Sequence, residues 1–523
     1  MNTRPIRFLH RGAVVEIADA APTRTVLEWL REDACCTGTK EGCAEGDCGA
    51  CMVVVGELDA HGGLRLQPAN ACIRFLPTLD GRALFTVEDV ALAAGARRPM
   101  RHDELHPVRY DQLHPVQRAM VECHGSQCGF CTPGFVMSLW ACFQRHQAAG
   151  TVPTRQQLAD DLSGNLCRCT GYRPILDAGL RAFEAPAPAF DRAAVAAALR
   201  DLGRAPALHY AAVHGGPVFH APRSIDDFAA LRESLPAARV LAGGTDLGLW
   251  VTKRLRELCD LLYIGEVAEL KRIEVHADRI VIGAAASLED AWRALVAEWP
   301  ALRDVWLRFA ALPLRLTGTM GGNVANGSPI GDAAPVLMAL GAGIALRHGQ
   351  RVRSMPLEDF YVDYLKNRLE AGEFVQALEV PRRGGRAQAV RANKVSKRYD
   401  CDISAVCAGL AIELDGDRIV GARLAYGGMA ATVRRAAGAE AALLGQPWTE
   451  STLQAAMAAL ADDYTPLSDL RASAGYRLQV AQNLLRRFWL ETRPVDPLPE
   501  SAVNVWARQE LSLIHISEPT RPY

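Results

Sequence analysis

The spacing of the cysteines near the start of the chain constrains its fold more than any other feature of the sequence. Within residues 43–51 three cysteines follow a C-x4-C-x2-C pattern, and a fourth stands at position 72. This spacing is that of plant-type [2Fe–2S] ferredoxins, and the glycines beside the cysteines let the backbone approach a cluster because glycine lacks Cβ. Structural zinc sites usually use paired C-x2-C knuckles, which this loop lacks. The candidate ligands of this first cluster are Cys43, Cys48, Cys51 and Cys72.

Two further cysteine pairs, in C-x2-C and C-x-C spacing, lie between residues 128 and 169. Both are predicted at helix ends, because Thr132 can cap a helix with Pro133 at its first position. Thr154 and Gln157 form a capping-box pattern for the next helix, and another helix begins near Pro174. Two helix hairpins would bring the four sulfurs together to hold a cluster. The alternatives are a zinc site and a redox-active Cys-x-x-Cys, and the second of these leaves the C-x-C pair unexplained. The candidate ligands are Cys128, Cys131, Cys167 and Cys169.

Composition narrows the class of protein. The length of 523 residues suggests three or four compact units, and 58 basic against 59 acidic residues argue against a surface for nucleic acid or anionic membrane. No apolar run reaches the roughly 18 residues of a membrane span. The N-terminal residues lack a signal-peptide core, so we expect a cytoplasmic protein whose cysteines are metal ligands rather than disulfides. The cysteines outside the two sets are expected to be buried small hydrophobes: Cys35, Cys36, Cys123, Cys142, Cys259, Cys401 and Cys407.

The distribution of motifs predicts a multidomain α+β chain. Twelve of the 15 cysteines precede residue 170, whereas the glycine-rich turns that could hold a nucleotide follow residue 240. Short strands around one helix open the chain, helical patterns follow, and mixed α and β patterns occupy the remainder. We divide it into a ferredoxin-like domain (1–90), a helical domain (91–185), an Ala- and Pro-rich linker (186–217), an α+β domain (218–385), a small α+β C-terminal domain (386–495) and a tail (496–523). Residues 511–523 resemble translated sequencing-adapter read-through, so we leave them out of the fold argument.

Two glycine turns in the second half could bind a diphosphate. The segment 240–247 (VLAGGTDL) is a strand followed by a tight turn whose N–H groups can face phosphate, and 319–323 (TMGGN) is a second such turn. Each motif alone could also be a plain turn. No G-x-G-x-x-G and no G-x-x-x-x-G-K-[ST] occurs, so neither a Rossmann dinucleotide site nor a P-loop is supported.

Five runs together resemble the iron–sulfur region of the xanthine dehydrogenase and aldehyde oxidase family. These runs are 30–33 (LRED), 37–43 (TGTKEGC), 46–51 (GDCGAC), 125–134 (GSQCGFCTPG) and 165–173 (NLCRCTGYR). The resemblance implies a β-grasp domain for the first cluster, a four-helix bundle for the second, and the eight cysteines above as ligands of two [2Fe–2S] clusters. It also implies that Gln127 hydrogen-bonds the pterin of a molybdenum cofactor at the edge of the helical domain.

The two glycine turns resemble the phosphate-binding loops of the FAD domain in the same family and occur in the same order. The implied FAD contacts are Val240, Leu241, Ala242, Gly243, Gly244, Thr245, Asp246, Leu247, Phe309, Thr319, Met320, Gly321, Gly322, Asn323, Asp332, Val375 and Lys394. A cationic Lys394 near the flavin would stabilise negative charge on the reduced ring; the alternative is a solvated surface lysine. Asp400 and Asp402, just beyond it, are expected to shape the open face of the flavin.

The region after residue 495 is too short for the molybdenum domain of this family, so the resemblance implies an electron-transfer subunit. The expected route runs from a molybdopterin-binding large subunit through the helical-domain cluster and the ferredoxin-like cluster to FAD and NAD⁺, within an α2β2 heterotetramer. The expected overall reaction is oxidation of hypoxanthine and xanthine to urate. The alternatives are the equivalent subunit of an aldehyde or N-heterocycle hydroxylase, and a stand-alone iron–sulfur flavoprotein diaphorase.

Overall fold

A computed structural model describes residues 3–92, 110, 113–384 and 387–504 of the chain. The tail segment 511–523 therefore lies outside the described residues. So do most of residues 93–112, near the start of the predicted helical domain. Within the described part the structure is multidomain α+β, as the sequence predicts.

The first domain is a five-stranded mixed sheet crossed by one helix. Its elements are β1 (Ile6–His10), β2 (Ala13–Ile17), α1 (Val26–Glu32), β3 (Met52–Leu58), β4 (Leu64–Asn70), β5 (Ala83–Phe85) and α2 (Val87–Leu92). The sheet order is β2-β1-β5-β3-β4, and β1 and β5 pair in parallel. Thr25 and Glu28 form a capping box at the start of α1, which buries Val26, Leu27, Trp29 and Leu30 against the sheet. This is the predicted β-grasp arrangement.

The second domain is a bundle of four described helices. They are α3 (Pro115–Glu122), α4 (Thr132–Ala149), α5 (Arg155–Asp161) and α6 (Arg173–Arg181). The capping box of Thr154 and Gln157 is confirmed. The predicted cap at Thr132 is wrong by one residue: Cys131 holds the cap position without a side-chain cap bond, and Thr132 is the first helical residue. Its hydroxyl instead pairs with that of Ser126 at 2.7 Å.

Residues 186–217, predicted as a linker, are largely folded. They contain α7 (Arg192–Gly203) and β6 (Leu208–Ala211). Asp191 caps α7 by accepting from the Ala194 N–H, and Leu199 is 1% exposed against the sheet of the first domain. The alanine content suggested a linker, but alanine also has the highest helix propensity of the amino acids. Burial of one apolar face of this segment stabilises the helix.

The third domain contains two larger sheets and one two-stranded sheet. Its elements are β7 (Val218–Ala221), α8 (Ile225–Ser234), β8 (Arg239–Leu241), α9 (Leu247–Thr252), β9 (Leu261–Tyr263), β10 (Ile273–Val275), β11 (Arg279–Gly283), α10 (Leu288–Glu298), α11 (Arg303–Arg308), α12 (Leu312–Thr317), α13 (Met320–Asn326), α14 (Ala333–Ala339), β12 (Gly343–His348), β13 (Arg351–Pro356), β14 (Tyr361–Asp363), β15 (Lys366–Asn367) and β16 (Phe374–Pro381). One larger sheet has the order β6-β7-β9-β8, the other is antiparallel in the order β10-β11-β16-β12-β13, and β14 pairs with β15 in the two-stranded sheet.

The C-terminal domain is an antiparallel sheet covered by helices. Its elements are β17 (Ala387–Val395), β18 (Val406–Asp415), β19 (Arg418–Gly427), β20 (Arg434–Arg435), α15 (Ala437–Leu443), α16 (Glu450–Asp463) and α17 (Ala474–Thr492), and α18 (Glu500–Val503) follows in the predicted tail. Among the described residues, no helix is both long and apolar enough to cross a membrane.

The folded state of α7 is testable by limited proteolysis. In the native protein we expect trypsin to cut slowly at Arg200, because the helix is packed on the sheet. Leu199→Ala removes a buried side chain at a cost of about 2–5 kcal/mol and should accelerate cleavage there, measured by peptide mapping. The exposed Ala193→Ser variant, in the same helix but away from the cleaved bond, is the control and should leave the rate unchanged. Rapid cleavage at Arg200 in the unmodified chain would restore the linker interpretation.

Candidate cluster and flavin sites

The first four cysteine thiols converge on one loop of the ferredoxin-like domain. The Cys43 side chain is hydrogen-bonded to the thiols of Cys48 and Cys72, and the Cys51 thiol contacts that of Cys72. Residues 33–51 form turns and bends rather than a helix or strand, so the backbone wraps around the sulfurs. A Cβ on Gly42 would lie 2.8 Å from the Cys48 sulfur, which explains glycine at this position. This donor set fits a [2Fe–2S] cluster.

The surroundings of Cys43 favour its thiolate form. Hydrogen bonds from the Cys48 and Cys72 thiols lower the pKa of Cys43. The Cys48 N–H also donates to the Cys43 sulfur at 3.4 Å. The thiolate is the form that binds metal, so these donors act in the direction that metal binding requires.

The second four thiols meet at the surface of the helical domain. Cys128 contacts Cys169, and Cys131 contacts Cys167, so each contact joins one cysteine of the first pair to one of the second. The first pair precedes α4 and the second lies between α5 and α6, as the sequence predicts. Cys128 and Cys169 are exposed, and the neighbouring Phe130 side chain is 47% exposed. This donor set also fits a cluster, at a position open to a partner.

A direct backbone hydrogen bond joins the two thiol sets. The Leu166 N–H donates to the Cys48 carbonyl oxygen at 3.0 Å, and Leu166 immediately precedes Cys167. The Asn165 side-chain amide donates to the Gly49 carbonyl at 3.3 Å. A Cβ on Gly49 would lie 2.3 Å from the Gly164 carbonyl oxygen, so the two backbones touch. Cys48 of the first thiol set is therefore hydrogen-bonded to the residue that directly precedes Cys167 of the second set.

The loop of the first thiol set also lies against the third domain. The Thr252 hydroxyl donates to the Ala44 carbonyl at 2.7 Å, and the Lys253 ammonium donates to the Cys43 carbonyl at 2.9 Å. A Cβ on Gly248 would lie 2.6 Å from the carbonyl oxygen of Ile73, the residue after Cys72. The ferredoxin-like loop thus contacts α9, which directly follows the first glycine turn.

The first glycine turn offers free backbone donors. The N–H groups of residues 243–246 have no acceptor among the residues that the structure describes. Gly244 has φ of +77°, a left-handed conformation that lets successive N–H groups face the same side. A Cβ on Gly243 would lie 1.9 Å from the Thr317 carbonyl oxygen, so glycine is required here, where the turn meets the end of α12. The turn fits the diphosphate of a dinucleotide.

The second glycine segment differs from the predicted turn. Residues 319–323 form the cap and first turn of α13, with the Thr319 hydroxyl accepting from the Gly322 N–H at 3.1 Å. The Met320 and Gly321 N–H groups are bonded to the carbonyls of Ala286 and Ala284. Its backbone donors are therefore used within the fold, because capping and sheet-edge contacts compete for them. The Asn323 side chain makes no hydrogen bond to the described residues, whereas the Asn326 amide donates to Asp246 of the first turn at 3.2 Å.

Lys394 and Asp332 form a buried ion pair. The Lys394 ammonium lies 2.5 Å from an Asp332 carboxylate oxygen, and the Ser404 hydroxyl donates to the other oxygen at 2.6 Å. The side chains of Lys394 and Asp332 are 3% and 7% exposed. The alternative of Lys394 as a solvated surface lysine is therefore wrong. Any effect of its charge on a bound flavin would be moderated by the carboxylate.

The two apolar members of the predicted flavin set lie in the core. Phe309 packs on Trp292 with ring centroids 5.8 Å apart. Val375 pairs with Leu346 across β16 and β12 and is 7% exposed. Asp400 and Asp402 are not buried, and they lie in the loop after Lys394.

Arg308 anchors this loop and was not found from the sequence. Its guanidinium donates to the Lys394 carbonyl at 2.8 Å and to the Tyr399 carbonyl at 3.1 Å, and it lies 4.5 Å from the Tyr399 ring centroid. No spacing pattern marks an arginine whose partners stand about ninety positions away, as the separations of 86 and 91 show. Leu166 and Ile73 were missed for a different reason: they make their contacts through backbone atoms, which no residue pattern reveals.

The remaining residues singled out from the sequence differ in their exposure to solvent. Gln127 is exposed beside Cys128. Cys35 and Cys259 are exposed, so the expectation of burial is wrong for these two, whereas Cys36, Cys142 and Cys407 are buried. The Cys142 sulfur, a ring nitrogen of His146 and a carboxylate oxygen of Asp161 lie within 4.8 Å of one another, as in a possible metal site. The Asp161 carboxylate, however, already pairs with the guanidinium of Arg145.

Three family models match successive parts of the chain. Residues 103–180 match a [2Fe-2S] binding domain, residues 212–383 match the FAD binding domain in molybdopterin dehydrogenase, and residues 391–492 match the CO dehydrogenase flavoprotein C-terminal domain. Their order agrees with that of the helical, glycine-turn and C-terminal domains. The chain belongs to the xanthine dehydrogenase and aldehyde oxidase family and carries its iron–sulfur and FAD-binding domains.

Curated relatives of this family align with most of the chain. Xanthine dehydrogenase of Emericella nidulans is 28% identical and covers 92% of the chain, and aldehyde oxidase 4 of Cavia porcellus is 27% identical and covers 93%. The chain spans only 38% and 39% of the length of these two relatives. Among solved structures, the carbon monoxide dehydrogenase of Hydrogenophaga pseudoflava is 28% identical, with 51% of this chain and 94% of that chain covered and a TM-score of 0.49.

The close approach of the first cluster loop to the helical domain predicts a strong effect at Gly134. A Cβ there would lie 2.1 Å from the Gly49 carbonyl oxygen, so Gly134→Ala should destabilise the contact by about 1–3 kcal/mol and reduce iron content per chain. Gly475→Ala is the matched control, since its Cβ meets nothing within 4 Å. Equal iron content and equal thermal midpoints in the two variants would contradict the contact.

The buried ion pair predicts a second effect. Lys394→Met leaves the Asp332 carboxylate buried without its cation, which should cost about 3–5 kcal/mol and lower the thermal midpoint. The exposed Lys397→Met variant should change the stability by less than about 0.5 kcal/mol. Adding Asp332→Asn to Lys394→Met should recover part of the loss, because no charge then remains unpaired. A midpoint for Lys394→Met equal to that of Lys397→Met would exclude the pair as a stabilising contact.

Proposed function

We propose that the chain is the electron-transfer part of a xanthine dehydrogenase, and that it passes electrons from a molybdenum centre on a partner subunit to FAD and NAD⁺. The eight cysteines of the two thiol sets would hold two [2Fe–2S] clusters, and the residues predicted around the first glycine turn, Asn323 and the Asp332–Lys394 pair would hold FAD. Clusters exchange single electrons, whereas a flavin exchanges one or two, so the set of cofactors would connect one-electron carriers to a hydride acceptor.

The serial contacts of the ferredoxin-like loop carry this proposal. On one side the loop reaches the second thiol set through the bond from the Leu166 N–H to the Cys48 carbonyl. On the other side it lies on α9 next to the first glycine turn, through Thr252 and Lys253. The arrangement supports an order in which the ferredoxin-like site lies between the helical-domain site and the flavin site.

The exposed face of the helical domain supports a partner at the entry end. Cys128, Cys169 and Gln127 are exposed there, together with the large side chains of Phe130 and Tyr172 at 47% and 39%. Exposed aromatic side chains around a redox site are typical of a surface that a partner covers. We propose that a molybdopterin-binding subunit docks on this face, with Gln127 facing the pterin, in an α2β2 assembly.

The substrate belongs to the partner, and an aldehyde or N-heterocycle is the second candidate. The aldehyde oxidase of Cavia porcellus covers as much of the chain as the xanthine dehydrogenase of Emericella nidulans does, at nearly the same identity. Co-purification of the complex, followed by assays with hypoxanthine, a benzaldehyde and quinoline as electron donors, would separate these substrate classes.

The order of sites can be tested in the reverse direction, without the partner, by adding NADH to the purified chain. In the unmodified protein NADH should bleach FAD and then reduce both clusters, followed by stopped-flow absorbance and by the two electron paramagnetic resonance signals. Cys128→Ser should remove the helical-domain signal and leave reduction of the ferredoxin-like cluster unchanged. Cys43→Ser should leave FAD reduction unchanged but slow reduction of the helical-domain cluster, because the intermediate site is lost.

Two outcomes would contradict the proposal. Reduction of the helical-domain cluster at the unmodified rate in Cys43→Ser would refute the order. Absence of any FAD reduction by NADH, with reduction by dithionite intact, would refute NAD⁺ as the acceptor. Analysis giving about four iron atoms and one flavin per chain is the expected composition for eight thiolate ligands.

A further inference from the structure

A cavity of about 210 Å³ lies between the ferredoxin-like domain and the third domain. Its walls include Arg74 and Arg82 from the first domain, and Lys271, Gly243 and Gly244 from the third. The cavity therefore adjoins the glycine turn whose N–H groups have no acceptor.

The charges around the cavity do not balance. The lining contains four cations and two carboxylates. Arg65 pairs with Asp290 at 3.2 Å, and Arg82 lies 3.6 Å from Glu57. Arg82 also lies 2.6 Å from Glu266, which is not part of the lining of this cavity. Two cations remain, and these are Arg74 and Lys271.

Arg74 is a guanidinium without a hydrogen-bond partner. Its side chain makes no hydrogen bond or salt bridge to any residue that the structure describes, and its Nε is enclosed by protein with no acceptor. Burial lowers the pKa of Arg74, and Arg82 acts in the same direction. Tyr263, Glu57 and Glu266 oppose this lowering of the pKa in part. An enclosed arginine with free donors is unfavourable unless an anion supplies acceptors.

Lys271 provides a second cation at the rim. It is exposed and makes no hydrogen bond or salt bridge within the described ranges. Because ammonium and guanidinium groups attract a phosphate over several ångströms, these two cations make the cavity favourable for an anion. Asp290 and Glu57 oppose this attraction, but each lies beside its own arginine.

We propose that this cavity binds a phosphate-class anion, with Arg74 of the ferredoxin-like domain as its charged ligand and the N–H groups of the Gly243–Gly244 turn as further donors. Guanidinium and turn amides are the donor types that recognise phosphate oxygens in proteins. The phosphate can come from two sources: the diphosphate of FAD, or a separate phosphate such as inorganic phosphate or a nucleotide. The first source rests on the proposed FAD function, and the second does not.

In the first case, the ferredoxin-like domain takes part in holding the flavin nucleotide. FAD affinity would then depend on docking of the cluster-bearing domain, which couples assembly of the flavin site to the contact that electrons cross. In the second case, the anion would bind at the same domain contact while FAD is present.

The test compares Arg74→Gln and Arg74→Lys in the full-length, cofactor-loaded chain with Arg24→Ala as control. Arg24 lies in the same domain but outside the cavity, where it pairs with Glu32 and Asp33. The dissociation constant of FAD is measured by release of flavin fluorescence, and binding of inorganic phosphate and pyrophosphate by calorimetry. Thermal midpoints and the cluster spectra establish that each variant is folded.

If the anion is the FAD diphosphate, Arg74→Gln should weaken FAD binding by about 10- to 100-fold, the loss expected for one charge-assisted hydrogen bond. Arg74→Lys should recover part of this loss, and inorganic phosphate should not bind the FAD-loaded chain. If the phosphate is separate, FAD affinity should be unchanged and phosphate or pyrophosphate should bind the loaded chain in a manner that Arg74→Gln abolishes. Either result would support the cavity as an anion site, and the difference between them identifies whether the phosphate belongs to FAD or to a separate ligand.

The proposal is overturned if a folded Arg74→Gln variant matches Arg24→Ala in FAD affinity and neither phosphate nor pyrophosphate binds in an Arg74-dependent way. A chain that holds no FAD at all would refute the flavin function. The phosphate and pyrophosphate titrations would still show whether the cavity of that protein binds an anion. Failure of the anion site and failure of the flavin function are therefore distinguishable.

Discussion

Close backbone packing of the first cysteine loop against two other domains is the constraint on which the arrangement of sites depends. Gly49 and Gly134 sit where any Cβ would come within 2.3 Å of a carbonyl oxygen, so the loop and the helical domain approach as closely as main chains can. Such an approach is possible only with glycine. It places the carbonyl of Cys48 on the N–H of Leu166 and so brings the two thiol sets together.

The contact with the third domain is of a different kind, because it combines apolar burial with charge pairs. The hydrophobic cluster of the ferredoxin-like domain continues into the third domain through Tyr210, Phe219 and Leu241, which are almost fully buried. At its edge, Arg82 and Arg65 of the first domain pair with Glu266 and Asp290 of the third. Apolar burial stabilises the contact, while the charge pairs orient it and leave a polar cavity beside them. The same contact places the first loop on α9.

This arrangement shows how two thiol sets and a glycine-turn site can be brought together within one chain. Each donor set belongs to a separate domain, so each can be shaped by its own loop geometry, and the domain contacts decide how close the sets come. The buried pair of Lys394 and Asp332 plays a comparable role in the flavin half, since it ties β17 to the segment before α14. Arg308 then holds the following loop through backbone carbonyls.

The sequence alone determined the features that depend on local spacing. The C-x4-C-x2-C run, the capping box at Thr154, and the glycine turn after β8 all act over a few residues, so their chemistry could be inferred without a fold. The α+β class and the order of the domains followed from the same local patterns and from the resemblance that they carry.

Only the tertiary structure decided the features that depend on competition between distant partners. The alanine-rich residues 192–203 form a helix because Leu199 packs against the sheet of the first domain. The amides of residues 320–323 are hydrogen-bonded within the fold because residues such as Thr319 and Ala284 supply acceptors. Lys394 is buried because Asp332, 62 positions away, offers a counter-charge. Arg74 has no such partner among the described residues. A side chain's partners across domains are set by packing, which residue spacing along one chain does not encode.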